Sequence, residues 1–126
     1  MNKQIVATQD APAAVGPYSQ AVRVGNTTWL SGQLPLDPRT QELVKGDAKA
    51  QIRQVFDNLR AIVTAGGGTF DDVVKVNIYL TDLTHFAHVN DIMAEYFHKP
   101  YPARAAVGVA ALTRGALLEV ECILAS

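Results

Sequence analysis

Residues 47–80 read DAKAQIRQVFDNLRAIVTAGGGTFDDVVKVNIYL, and two different periodicities follow one another within them. From Ala48 to Ala65 the apolar residues Ala48, Ile52, Val55, Phe56, Leu59, Ile62 and Val63 recur at helical spacing, with Asp47 in place as N-cap. Gly66-Gly67-Gly68 comes next, and glycine there lets a helix end in a left-handed residue. A phosphate-cradling loop would precede its helix and carry a Lys-Ser/Thr pair, which this triplet lacks. Val74, Val76, Ile78 and Leu80 then alternate with Lys75, Asn77 and Tyr79, the pattern of a strand with one face in a core.

Working outward, Ile5 to Ala7 reads as a short strand, and Ala11 to Pro17 is too rich in proline and glycine to be regular. Tyr18 to Val24 and Thr27 to Gln33 read as a hairpin around Gly25-Asn26, and Leu34 to Lys45 as a loop with two prolines. Beyond the central strand, a second helix is expected from Thr84 to Phe97, with Phe86, Val89, Met93, Tyr96 and Phe97 on one stripe. Strands over Ala103 to Val109 and Ala116 to Leu124 close the chain. The order β-β-β-α-β-α-β-β, with short connections and right-handed crossovers, puts both helices on one face of a mixed six-stranded sheet. The other face carries Leu117 and Ile123 and is expected to be covered by further copies of the chain.

With 126 residues the chain is expected to form one domain, 1–126, large enough for its own core. Eleven basic against twelve acidic residues, with no basic run, disfavour nucleic acid as a partner. Cys122 is the only cysteine, which excludes an internal disulfide or a CxxC site and fits a reducing compartment. The N-terminal residues lack the apolar stretch of a signal peptide, and no apolar run reaches 18 residues, so a cytoplasmic protein without membrane contact is expected.

Arg104 opens an otherwise uncharged strand, and alternation sets it on the same face as Ala106 and Gly108, which are too small to cover it. A guanidinium in that setting is either a carboxylate clamp or one half of a structural ion pair. Glu119 and Glu121 share a face of the last strand, about 7 Å apart by strand rise. One of them is expected to pair with Arg104, or to orient water beside it. Asn90 lies close to the apolar stripe of the second helix and either bonds backbone or faces a ligand. Tyr18, after Gly16-Pro17, is an anchor or a hydroxyl presented to a site. His85 and His88 are one turn apart near Asp82 and Asp91, but no third ligand or HExxH motif accompanies them, and no metal is expected. With Cys122 on the core side and no GxSxG, covalent catalysis is not expected either.

Gly16-Pro17-Tyr18-Ser19-Gln20, Ser31-Gly32-Gln33-Leu34-Pro35, Phe86-Ala87-His88-Val89-Asn90, Pro102-Ala103-Arg104 and Glu119-Val120-Glu121 together resemble the reactive intermediate deaminase family, the RidA or YjgF-type proteins, in the right order over nearly the full length. The resemblance implies a chorismate-mutase-like α+β fold, a homotrimer, and ligand sites in clefts between subunits. It implies that the last strand lies antiparallel between the strands before and after the first long helix. It further implies hydrolysis of enamines and imines such as 2-aminoacrylate to 2-keto acids and ammonia, without cofactor. On that footing Arg104 holds the substrate carboxylate, Glu119 positions water, and Tyr18, Ser31 and Asn90 line the cleft. Backbone groups around Gly32 and Ala106 add hydrogen bonds. A non-catalytic module binding small carboxylates such as keto acids is the alternative. This chain departs from the pattern at Ala105-Ala106, where many members have Ser-Cys, at Gly108, where some have glutamate, and at Thr113, where proline is common.

Overall fold

The computed structural model describes residues 2–126. Helix α1 spans Ala48–Ala65, the bounds its periodicity predicts, and Asp47 Oδ1 accepts from Ala50 N at 2.9 Å. The helix ends through Gly67, whose φ of 86° is open to glycine at little cost. Gly67 N donates to Thr64 O and Gly68 N to Val63 O, which satisfies two carbonyls the last turn would otherwise leave free.

Among the described residues, six strands form one mixed sheet, β1 (Gln4–Val6), β2 (Ala21–Val24), β3 (Thr27–Gln33), β4 (Val73–Leu80), β5 (Ala103–Gly108) and β6 (Leu118–Ala125), in the order β1-β2-β3-β6-β4-β5. As the resemblance implies, β6 runs antiparallel between β3 and β4, while β5 adds to β4 in parallel as an edge strand. Both helices cover one face. Ile52, Val55, Phe56, Leu59 and Ile62 of α1 meet Val76, Ile78 and Leu80 of β4 and Val120 and Cys122 of β6 in the core. Helix α2 (Phe86–Tyr96) joins them through Val89 and Ile92, and Phe56 packs 5.5 Å from Tyr96 and 6.1 Å from Phe97. Among the described residues no helix is long and apolar enough to cross a membrane.

Several ends, among them both ends of β1 (Gln4–Val6 against Ile5–Ala7), move by one residue, and three starts move by two or more, each for a local reason. Strand β2 starts at Ala21 rather than Tyr18, because the Gln20 side chain binds the backbone of the preceding segment and keeps it irregular. Helix α2 starts at Phe86, after a 3₁₀ turn over Leu83–His85 in which Asp82 Oδ1 accepts from Thr84 N and Oγ1. A similar turn over Thr113–Gly115 delays β6 to Leu118, with Arg114 at φ 62° donating from Nη1 to Gln41 O at 2.7 Å.

The second face of the sheet stays open and is mixed in character. Trp29 and Val107 are each 46% exposed there, alongside the half-buried Lys75, Asn77, Tyr79, Glu119, Glu121 and Ile123.

Candidate functional site

The expected site residues gather in two groups on opposite faces of the sheet. Arg104 pairs in register with Val76 of β4, a core residue, so its side chain leaves β5 on the helix-covered side. There it meets α2. Nη1 donates to Asn90 Oδ1 at 2.5 Å and lies 3.9 Å from Met93 Sδ, while the guanidinium carbon sits 5.0 Å from the centre of the Phe86 ring. The ring and the amide fix the plane of the fork and occupy one of its edges. The group lines a cavity of about 330 Å³ with Met93, Ala94, Tyr101 and Pro102. Ala106 follows two residues on, partly buried, on an edge strand whose outer backbone groups have no partner strand.

Asn90 is exposed, and its oxygen accepts from Arg104 rather than bonding backbone, the first of the two readings its place near the apolar stripe offered. Arg104 in turn makes no ion pair with Glu119 or Glu121 among the described residues. That expectation fails because β5 and β6 are both neighbours of β4, and register sets Arg104 on one face and the two glutamates on the other.

The second group forms around an irregularity in β3. Leu30 pairs with Cys122 and Gln33 with Val120, which leaves Ser31 and Gly32 together opposite Glu121. The bulge brings the Gly32 backbone hard against Glu119. A β-carbon on Gly32 would stand 2.0 Å from Glu119 Oε2, so no other residue leaves that carboxylate where it is. Burial first, and the charge of Glu121 second, raise the Glu119 carboxyl above its ordinary value. A carboxylate so placed is a better proton acceptor than a free surface glutamate. Ser31 Oγ donates to Ser19 O at 2.5 Å, and Ser31 N to Gln20 O at 2.9 Å, tying this group to the segment that carries Tyr18.

Tyr18 is half exposed, and its ring lies against Gly16. Its hydroxyl oxygen accepts from Val15 N at 3.3 Å, which leaves the O–H proton free to turn outward. What holds this loop is a residue that sequence reasoning missed. Gln20, only 4% exposed, accepts from Thr8 N at 2.7 Å and donates to Pro12 O at 2.7 Å and Thr8 O at 3.1 Å. A buried amide must be satisfied, and here it takes its partners from the loop backbone. The polar signal for it was a glutamine directly before the apolar start of β2.

His85 and His88 stack at 5.9 Å on the first turns leading into α2, and His85 lies 4.0 Å from Asp82 Oδ2. Among the described residues no three His, Cys, Asp or Glu side chains cluster as metal ligands do. Cys122 is buried on the core side, and burial pushes its thiol up to about 12. A thiol held protonated in that way is a poor nucleophile.

Comparison with known proteins places these features in company. Residues 8–126 match the sequence model of the family described as endoribonuclease L-PSP. A protein of Dermatophagoides farinae named 2-iminobutanoate/2-iminopropanoate deaminase is 48% identical over 122 residues, covering 97% of this chain and 95% of its own. The crystal structure of RidA from an Antarctic Psychrobacter is 55% identical, with a TM-score of 0.94 over 98% of this chain and 99% of that one. The structure of TdcF from E. coli with bound serine is 38% identical, with a TM-score of 0.92 over 98% of each chain.

Proposed function

Because this chain belongs to the endoribonuclease L-PSP family, which includes the RidA and YjgF proteins, we propose that it hydrolyses reactive 2-imino acids to 2-keto acids and ammonia. Enamines such as 2-aminoacrylate enter as their imine tautomers. The observation that carries the reading is the Glu119 carboxylate, half-buried, raised in proton affinity and pressed against the Gly32 backbone at a bulge. In the reaction the Arg104 fork, steadied by Asn90 and Phe86, holds the substrate carboxylate. Glu119 takes a proton from water as its oxygen bonds to the imine carbon. Glu119 returns that proton to the nitrogen, giving a neutral carbinolamine; it then takes the carbinolamine hydroxyl proton and passes it to the nitrogen as the C–N bond breaks and the keto C=O forms, so that ammonia leaves with the keto acid behind. An imine is already electrophilic, so positioning and proton transfer suffice without a metal or cofactor. Tyr18, Ser31 and the backbone at Gly32 and Ala106 line the cleft. Serine bound to TdcF supports an amino-acid-sized carboxylate as ligand.

Since Arg104 and Glu119 lie on opposite faces of one sheet, one chain cannot bring both to a single small substrate. Each site is instead shared, with the Arg104 group of one subunit meeting the Glu119 group of the next around a homotrimer. The open sheet face, with Trp29 and Val107 exposed, is the surface such an assembly covers. The buried, unpaired Cys122 fits a reducing cytoplasm.

The test is a mixing experiment with two inactive variants. Arg104→Ala and Glu119→Gln subunits, unfolded together and reassembled in equal amounts, should recover roughly a quarter of wild-type sites, because random assembly reunites both intact residues at that frequency. Ammonia and keto-acid release from imines generated in situ is the readout. No recovery in an intact mixed trimer refutes the shared site. Keto-acid binding without any ammonia release from the wild type refutes catalysis in favour of a binding module.

A further inference from the structure

The open face of β4 and β6 carries a contact that neither the clamp nor the water-holding role explains. Tyr79 of β4 lies directly opposite Glu119 of β6, and Asn77 opposite Glu121. The Tyr79 hydroxyl bypasses its direct neighbour, crosses diagonally and donates to Glu121 Oε1 at 3.1 Å. On the other flank of β6, the Glu119 carboxylate is confined against Gly32 of the β3 bulge. The two carboxylates are therefore held separately, one toward β3 and one toward β4, on a half-buried surface where water screens charge less than in bulk.

We propose that Tyr79 is a positioning residue for Glu119 that acts through Glu121, its hydroxyl fixing a second negative charge beside the carboxylate that activates water. The inference rests on the role given to Glu119 above and adds the residues that tune it. Among the described residues of the sheet, the charged groups on the face of Glu119 are Glu121 on its own strand and Lys75 farther along β4. Tyr79 is the remaining titratable group; β3 offers Trp29, Ser31 and Gly32, and β5 offers Ala105 and Val107. A like charge favours the protonated form of a carboxyl, which is the direction in which Glu121 acts on Glu119. Burial, and then the bond to Glu121, push the Tyr79 hydroxyl upward as well, so it stays a donor through the working pH range. Without the tether, Glu121 would swing toward water and its effect on Glu119 would weaken.

The experiment is a carbon NMR titration of the Glu119 side-chain carboxyl in the wild-type assembly, Tyr79→Phe, Glu121→Gln and the double variant, with Glu119→Gln supplying the assignment. Glu121→Gln should lower the Glu119 midpoint by about 0.5 pH unit. Tyr79→Phe should lower it by less, and the double variant should match Glu121→Gln alone, since Tyr79 acts only through that residue. The acidic limb of imine hydrolysis should move with the midpoints while the plateau rate stays within about threefold of wild type. A midpoint indifferent to Glu121→Gln, or a Tyr79→Phe shift that adds fully to it, overturns the inference. NMR needs no turnover, so an inactive protein with the coupling intact overturns only the proposed reaction. If Tyr79→Phe does not assemble, Glu121→Asp takes its place: it keeps the charge but withdraws it by one methylene from the Tyr79 hydroxyl, and should lower the Glu119 midpoint partway toward that of Glu121→Gln, whereas an unchanged midpoint overturns the inference.

Discussion

On the helix side of β6, Leu118, Val120, Cys122 and Leu124 are at most 4% exposed, whereas Glu119, Glu121 and Ile123, alternating with them, remain partly open. One strand thus has a finished side and an unfinished side. The finished side is satisfied within the chain by α1 and α2, through apolar burial that no partner needs to supplement. The unfinished side keeps two carboxylates and a tyrosine among Trp29, Val107 and Ile123, a mixture too polar for a core and too apolar for a solvated face. Substitutions should therefore fail in different ways: in the buried core of the covered side the fold is lost, and on the open side, or at the exposed Arg104 on the rim of the covered side, the chemistry or the assembly.

The largest effect should come from the covered side. Phe56 is fully buried between Tyr96 and Phe97, and Phe56→Ala should cost about 3 to 5 kcal/mol in denaturant unfolding. A loss below 1 kcal/mol would show that the helices are held chiefly by subunit contacts, which would erase the contrast.

Gly32→Ala is the matching break on the open side. The new β-carbon meets the far end of a flexible side chain, so Glu119 moves and the fold survives. Imine hydrolysis should then fall by about 10²-fold, the usual range for a displaced acid or base, with the thermal transition nearly unchanged. Unaltered turnover would remove Glu119 from the reaction.

Arg104→Lys comes next, and it tests the clamp on the helix side of β5. Lysine keeps the charge but neither the fork nor its stacking on Phe86, and losing one charge-assisted hydrogen bond costs about 1.5 to 3 kcal/mol, roughly a 10- to 150-fold drop in kcat/KM. Wild-type kinetics in this variant would reduce Arg104 to a structural partner of Asn90.

The smallest effect concerns pH. The Glu119 carboxyl is raised by burial and then by Glu121, so the folded state favours its protonated form. The resulting stability is fully present below the unfolded-state value of about 4.3 and is lost as pH rises through the higher folded value. Glu119→Gln, which keeps the neutral form at every pH, should melt slightly above wild type at pH 7 and level with it near pH 4. A variant that melts lower at pH 7 would show that the anion is stabilised in the assembly.

How far the chain could be read depended on the range of the forces involved. Helix α1 follows from its own spacing and caps, since its hydrogen bonds close within four residues and Asp47 and Gly67 sit at its ends. The alternation in β4 and β6 likewise assigns Val76, Ile78, Val120 and Cys122 to one side and Glu119 and Glu121 to the other without any knowledge of neighbours. Arg104 and the pair Glu119 and Glu121 also stood out as chemistry-bearing residues in apolar strands, and the family resemblance chose Glu119 of the two. Their relation did not, because strand order and register are set by contacts far apart in the chain, and those contacts turn Arg104 toward Asn90 and away from both glutamates. The β3 bulge that brings Gly32 onto Glu119, the hold of Gln20 on its loop, and the reach of Tyr79 to Glu121 are of the same kind. Each is a hydrogen bond or close approach between segments that only packing makes neighbours, so the sequence determined which side chains the molecule owns and which face each strand residue takes, while the tertiary structure decided which of them meet.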